Sequence, residues 1–376
     1  MRGRCFLFPL LVVLGRGCTF YTNAPPTADN GTGNMQMTGN NNPGLAELAG
    51  GSEPGGAWLN VTANLAGQTA ACGTVSLVAA SASEDLLVTA VAGRGLYSST
   101  DGGMSWQKLG LGALSSKIDT VGTQVLFDTQ DPHVFWETGI NGQTGVVKTI
   151  DDGKHLYPRG TINGNEGLSI DFTDPDRKTM LVGGHERRQT VYSSSDSGST
   201  WTDIGMQFPA DADAPTYPLV LDPNTFLMGC PPKTSGAAGI YLSTDAGGTW
   251  TNVSKDGGGG PALQAADGTI YWMSPSGGVV KSTDGGQTFV SGVAANVLRS
   301  IPLIELPDGR LAGVSLGHVV VSADKGATWK FATATLPYVP SGFAYAVAQK
   351  AFFVWYSTCQ GATTVPGNSI MRFDFK

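Results

Sequence analysis

The sequence predicts an all-β fold, a single seven-bladed β-propeller closed by pairing of its N- and C-terminal strands. Three observations predict it. A short acidic turn recurs six times at intervals that suit one four-stranded sheet apiece. Runs rich in β-branched and aromatic residues fill the intervals, punctuated by turn residues. The composition, 53 Gly and 21 Pro with 14% charged residues, describes a turn-rich chain with few exposed helices.

In chain order, residues 1–18 read MRGRCFLFPLLVVLGRGC, two arginines before a short apolar run, the pattern of a signal peptide. The run is too short to span a bilayer as a helix. Its end before Cys18 resembles the lipobox of bacterial lipoproteins, from which Gly15 and Arg16 depart. Lipidation at Cys18 and ordinary secretion therefore both stay open. Residues 19–57 carry too little apolar mass to offset ordering entropy and are expected to form a flexible, low-complexity tether. The propeller occupies residues 58–376.

The turn is written SSTDGGMSW at residues 98–106 and returns as SSSDSGSTW, LSTDAGGTW, KSTDGGQTF and VSADKGATW. Aligned on Asp101, Asp151, Asp196, Asp245, Asp284 and Asp324, the copies stand 50, 45, 49, 39 and 40 residues apart. An Asp side chain can bond the backbone N–H groups of its own turn, the glycine permits a positive φ, and the aromatic packs beneath as a plug. The second copy, TIDDGKHL, keeps Asp151 and Gly153 but has His155 and Leu156 in place of Thr and Trp. These loops lack the alternating carboxylates and terminal Glu of a calcium loop, so the acids are expected to be architectural. The unit resembles the Asp-box, or BNR repeat, of sialidases, sortilin-type receptors and xyloglucanases. Residues 58–376 as a whole resemble bacterial exported BNR-repeat proteins described as glycosyl hydrolase-like.

Blade counting follows from the runs around each turn. TVSLVAAS, DLLVTAVAG, GLYSSTD and MSWQKLG make the first blade, and IPLIELPDGR, LAGVSLG, HVVVSAD and ATWKFAT the sixth. After the last turn only three runs remain, SGFAYAVAQ, AFFVWYS and NSIMRFDFK. AWLNVTANL, ahead of the first blade, supplies the missing outer strand, and closing the ring removes exposed sheet edges.

With the acidic turns between third and fourth strands, the opposite face carries the second-to-third-strand loops and the connections between blades. The resemblance implies that ligand sits over that face near the axis. Candidate ligand-binding residues there are Trp136, Glu166, His185, Arg187, Arg188, Tyr217, Trp272, His318 and Tyr356, with Asp211, Asp213 and Tyr338 on the same loops. Aromatic platforms, carboxylates and paired arginines suit sugar rings or anionic groups. A glycoside hydrolase needs two carboxylates, one protonated and one ionised. Glu137 and Glu186, near the ends of second strands in adjacent blades, are the candidate catalytic pair, weighed against ordinary solvated loop acids. Apolar flanking by Phe135 and Trp136 marks Glu137 as the carboxyl with the raised pKa.

Sialidases also require three arginines, a Tyr and Glu nucleophile pair, and an Arg-Ile-Pro motif near the domain start. Here the nearest string is RSIP at residues 299–302, in the sixth blade, and the arginines are Arg94, Arg187 and Arg188. That departure argues against true sialidase activity.

The formal charge of -7 and pI near 5.1, with no basic cluster, argue against nucleic acid. No metal-ligand spacing, nucleophile elbow or phosphate loop occurs, so neither metal nor cofactor is expected. Cys72 and Cys359 fall on blades that adjoin in the closed ring and are expected to form a disulfide, leaving Cys230 single. The combined expectation is a monomeric, exported cell-envelope protein, lipid-anchored or secreted, that binds carbohydrate or a glycoconjugate, with hydrolysis by the carboxylate pair left open. Its alternative is a non-catalytic propeller that binds glycan or a protein partner.

Overall fold

A computed structural model describes residues 54–68, 75–110, 121–140, 145–185, 187–233, 236–275, 277–293, 298, 301–357 and 369–375. Seven antiparallel four-stranded sheets account for every named strand. Blade one comprises Val75–Ala80, Leu87–Val91, Gly95–Ser99 and Gln107–Lys108, and blade two Val121–Phe127, Phe135–Ile140, Val146–Thr149 and Tyr157–Arg159. Blade three is Asn165–Ile170, Met180–Gly184, Val191–Ser194 and Thr202–Asp203; blade four is Tyr217–Val220, Phe226–Cys230, Gly239–Ser243 and Thr251–Ser254. Blades five and six follow as Leu263–Gln264, Ile270–Met273, Val279–Ser282, Val290–Val293, and Ile304–Glu305, Leu311–Ser315, His318–Ser322, Lys330–Phe331.

Blade seven combines Gly342–Ala346, Ala351–Tyr356 and Ser369–Asp374 with Leu59–Asn60 as its fourth strand. Leu59 stands opposite Arg372 and Asn60 opposite Met371, so the first strand among the described residues completes the last sheet. The neighbouring segment reinforces the joint. Val61 donates its N–H to the Ile370 carbonyl (2.9 Å), and the Thr62 hydroxyl accepts from the Ile370 N–H (2.9 Å). The indole of Trp106 donates to the Val61 carbonyl (3.0 Å), tying the joint to blade one.

First strands of neighbouring blades pack on one another, which places them innermost, and the short fourth strands form the rim. Second strands are flanked by sheets on both sides and therefore read as continuous apolar runs: LVTAV, FLMGC, IYWM and AFFVWY are buried almost throughout. Among the described residues the core divides into seven clusters, each filling the seam between two adjacent blades.

All six acidic turns join third to fourth strands and share one hydrogen-bond pattern. In blade four the Ser243 hydroxyl donates to Asp245 Oδ1 (2.8 Å) and accepts from the Gly247 N–H (2.8 Å), while Thr249 donates its N–H and hydroxyl to the two Asp245 oxygens (2.8 Å each). The residue after the aspartate and the glycine following it both have positive φ. The six glycines lie between 77° and 90°, the preceding residues between 57° and 75°. In the divergent second copy, His155 Nδ1 stands 2.6 Å from Asp151 Oδ2, taking the place of the threonine hydroxyl. Trp106, Trp250, Trp329 and Leu156 are buried under their turns.

Candidate functional site on the loop-rich face

The start of each first strand, the end of each second strand and the loop after it lie on the face opposite the acidic turns. Where blades three and four meet on that face, four side chains converge. Glu166 is the second residue of its strand, and register shifts between Asn165 and Gly167 in a local bulge. Its Oε2 accepts from the Lys233 ammonium (2.8 Å) and lies 2.7 Å from His185 Nδ1; its Oε1 accepts from the Tyr217 hydroxyl (3.0 Å). Tyr217 opens blade four, Lys233 lies in the loop after its second strand, and His185 immediately follows the second strand of blade three.

Burial pushes the Glu166 carboxyl upward, but the hydrogen bond from His185 and the Lys233 charge outweigh it and hold the group below its ordinary value. The carboxylate thus stays ionised, a fixed acceptor. The Lys233 ammonium also lies 5.8 Å from the Tyr217 ring centre. Backbone bonds brace the cluster: His185 N–H to the Gly164 carbonyl (2.7 Å) and Gly184 N–H to the Pro215 carbonyl (2.9 Å). Arg187 and Arg188 are exposed beside it. At Gly164, with φ +69°, a Cβ would fall 3.1 Å from the Arg187 guanidinium carbon, so the missing side chain makes room for that arginine.

The structure therefore brings together Glu166, His185 and Tyr217, with Arg187 alongside. It adds Lys233, which sequence reasoning passed over. Its signal was positional: PPKTSG is the second-to-third-strand loop of blade four, one of the loops that topology assigns to this face.

Other candidates lie elsewhere. Trp136, Trp272 and Tyr356 are not platforms but core residues, 0%, 0% and 1% exposed, in the seams of blades two and three, four and five, and six and seven. Side chains alternate along a strand, and in a sheet packed on both faces each direction leads into a seam. The Trp272 indole donates to the Gly260 carbonyl (2.6 Å), and burial pushes the Tyr356 phenol up to about 12. His318 is buried too, stacked on Phe331 at 4.1 Å between ring centres.

Glu137 is not at a strand end. It is the third residue of Phe135–Ile140, paired with Val125 and Val147, and 4% exposed. Its side chain enters the seam toward blade one, where Oε1 is buried without a hydrogen-bond partner. Burial raises its carboxyl to about 8, the direction the apolar flanks led us to expect, but the site is a seam and not a ligand surface. Glu186, Cys18, Cys72 and Cys359 lie outside the described residues, as do residues 1–53. Cys230 is buried in the seam of blades three and four, which raises its thiol well above the ordinary value. No group of three or more His, Cys, Asp or Glu suited to a metal occurs among the described residues. Nor is any described helix long and apolar enough to cross a membrane.

No family model matches the chain, and no curated protein does. Solved structures do. The chain is similar to the extracellular domain of the hybrid two component system BT4673 from B. thetaiotaomicron, at 12% identity and TM-score 0.53 over 84% of this chain and 39% of that one. It is similar to an ancestral GH74 enzyme at 14% identity and TM-score 0.50, over 77% and 44% of the two chains. What these likenesses show is the fold. The chain is a seven-bladed β-propeller. A weaker likeness, at 15% identity and TM-score 0.45 over 68% and 92% of the chains, is to YCF48 bound to D1 peptide. The propeller spans less than half the length of the BT4673 and GH74 chains.

Proposed function

We propose that this propeller binds carbohydrate through the Glu166 cluster on its loop-rich face. The observation that carries the reading is the Glu166 carboxylate, fixed by Tyr217, His185 and Lys233 across two blades. A charged acceptor held in place by its neighbours, with ammonium, imidazole and phenol donors around it, suits the mixed hydroxyls of a sugar without reorganisation. Catalysis by the Glu137 and Glu186 pair is not supported: Glu137 is 4% exposed, in a seam between blades, and Glu166 is held ionised and cannot serve as the acid. The proposal includes export directed by residues 1–18, with Cys18 lipidated or the chain secreted, residues 19–57 as tether, the acidic turns as Asp-boxes, and a monomeric state.

A second reading rests on one contact. Tyr217 donates to Glu166 at 3.0 Å, the pairing of residue types that sialidases use as nucleophile and base, and a glycosidase could be built on it. One experiment separates the two. The purified full chain is incubated with a panel of polysaccharides and sialosides, and binding and reducing-end release are read on the same samples. Binding without release, weakened about tenfold or more by Glu166→Gln, supports the binding reading. Release lost in Tyr217→Phe while binding persists establishes the glycosidase instead, and failure to bind any glycan removes both.

A further inference from the structure

The opposite face carries a feature that the carbohydrate reading leaves unused. A cleft of about 570 Å³ opens between blades one and two among the acidic turns. Its volume is within the range of small-molecule sites. Leu86 and Leu109 supply apolar lining, and Glu84, Asp85, Lys108 and Lys154 are among its charged lining.

Strand order sorts these four by sign. Glu84 and Asp85 lie on the turn between the first and second strands of blade one, the half nearer the axis. Lys108 ends the fourth strand of blade one, and Lys154 lies on the third-to-fourth-strand turn of blade two, both in the outer half. Between these ends His133 Nδ1 meets Asp152 Oδ1 at 2.9 Å, and the Asp152 N–H donates to the His133 carbonyl at 3.1 Å. That double tie satisfies His133 and Asp152 by each other and fixes the wall of the cleft. Glu84, Asp85, Lys108 and Lys154 make no ion pair within the described residues.

We propose that this cleft binds a short zwitterionic peptide, its ammonium at Glu84 and Asp85, its carboxylate at Lys108 and Lys154, and its side chains over Leu86 and Leu109. Two acids at one end and two lysines at the other complement a ligand whose opposite charges are separated by several bonds. A neutral sugar would leave both ends unmatched, and a ligand of single charge would meet repulsion at one of them.

The test titrates the full chain with trialanine, N-acetyl-trialanine and trialanine amide by calorimetry at low salt. The expected result is saturable binding of trialanine, each capped form weaker by about three- to tenfold, and weakening as ionic strength rises. Lys108→Ala with Lys154→Ala should weaken trialanine and erase its advantage over the amide. Glu84→Gln with Asp85→Asn should erase its advantage over the N-acetyl form. These four side chains are exposed, so the variants should retain the native Tm. Equal binding of free and capped peptides, no saturable binding, or indifference to the variants would overturn the proposal. Glu166→Gln should leave trialanine binding unchanged, so failure here and failure of the carbohydrate reading are distinct results.

Discussion

Arg177 and Asp128 form a two-pronged ion pair across blades two and three, with Arg177 Nε 2.9 Å from Asp128 Oδ2 and a terminal guanidinium nitrogen 2.7 Å from Oδ1. Both side chains are buried, and Arg177 also donates to the Phe172 and Asp174 carbonyls. Its backbone holds a positive φ of 54°, so one residue is placed by the turn and by the neighbouring blade together.

Removing half of this pair should cost more than removing both. Arg177→Leu leaves the Asp128 carboxylate buried without its guanidinium, and should lower stability by about 3–5 kcal/mol in urea unfolding. Adding Asp128→Leu should recover part of the loss. Burial raises the Asp128 carboxyl, but the Arg177 hydrogen bond prevails and holds it below its ordinary value. The pair's contribution is therefore present above the unfolded carboxyl pKa and falls away as pH drops through the depressed folded value.

Glu137 titrates with the opposite sign. Its carboxyl stands at about 8 in the folded chain, against 4.5 as its ordinary value, so the folded state holds a proton that the unfolded state has lost between those limits. Stability from this group is full below about 4.5 and is lost as pH rises toward about 8. Glu137→Met, which removes the unpartnered oxygen, should flatten this slope, and its unfolding midpoint should exceed that of the native chain by most at pH 8 and above.

The residue after each turn aspartate is left-handed whatever its type. At Ala246 the φ is 57°, a conformation that a Cβ disfavours. Ala246→Gly should raise stability by about 0.5–1 kcal/mol, and Ala246→Val should lower it, both measurable as shifts in Tm.

In blade five the Asp284 carboxyl is held at about 2 by the side chain and N–H of Thr288, with help from Ser282. Its contribution is present above the ordinary value of 3.8 and is lost as pH falls toward about 2. Asp284→Ala should lower Tm at pH 7 and lose that deficit at pH 2. In blade two, His155→Thr should keep Tm unchanged, since a hydroxyl would replace the imidazole on Asp151.

Much of the architecture was legible because its signals are local. The turn from Ser243 to Trp250 carries its own hydrogen-bond partners within a few residues, so spacing alone places it and each repeat counts a blade. That the run containing Leu59 joins blade seven was legible by subtraction, since that blade lacks one run of its own; its register against Arg372 was not. The site was less so. Trp136 and Trp272 read as surface aromatics because an apolar residue before a loop looks the same whether its ring faces solvent or a seam. Glu137 stands three residues before the end of its strand, enough to turn an expected strand end into an interior position. Lys233 went unread because its partner, Glu166, is in another blade, 67 residues away.

Joining the first described strand to the last sheet also sets the order of assembly. Six blades can collapse as they are made, but the seam of blades seven and one needs Val61, Phe353 and Ile370 together. The ring thus stays an open arc through most of synthesis, with two apolar sheet faces uncovered, and shuts only when its distant ends meet. A circular permutant that fuses Leu59 directly behind the third strand of blade seven would make that strand pairing local, leaving only the seam with blade one to close last, and should refold faster.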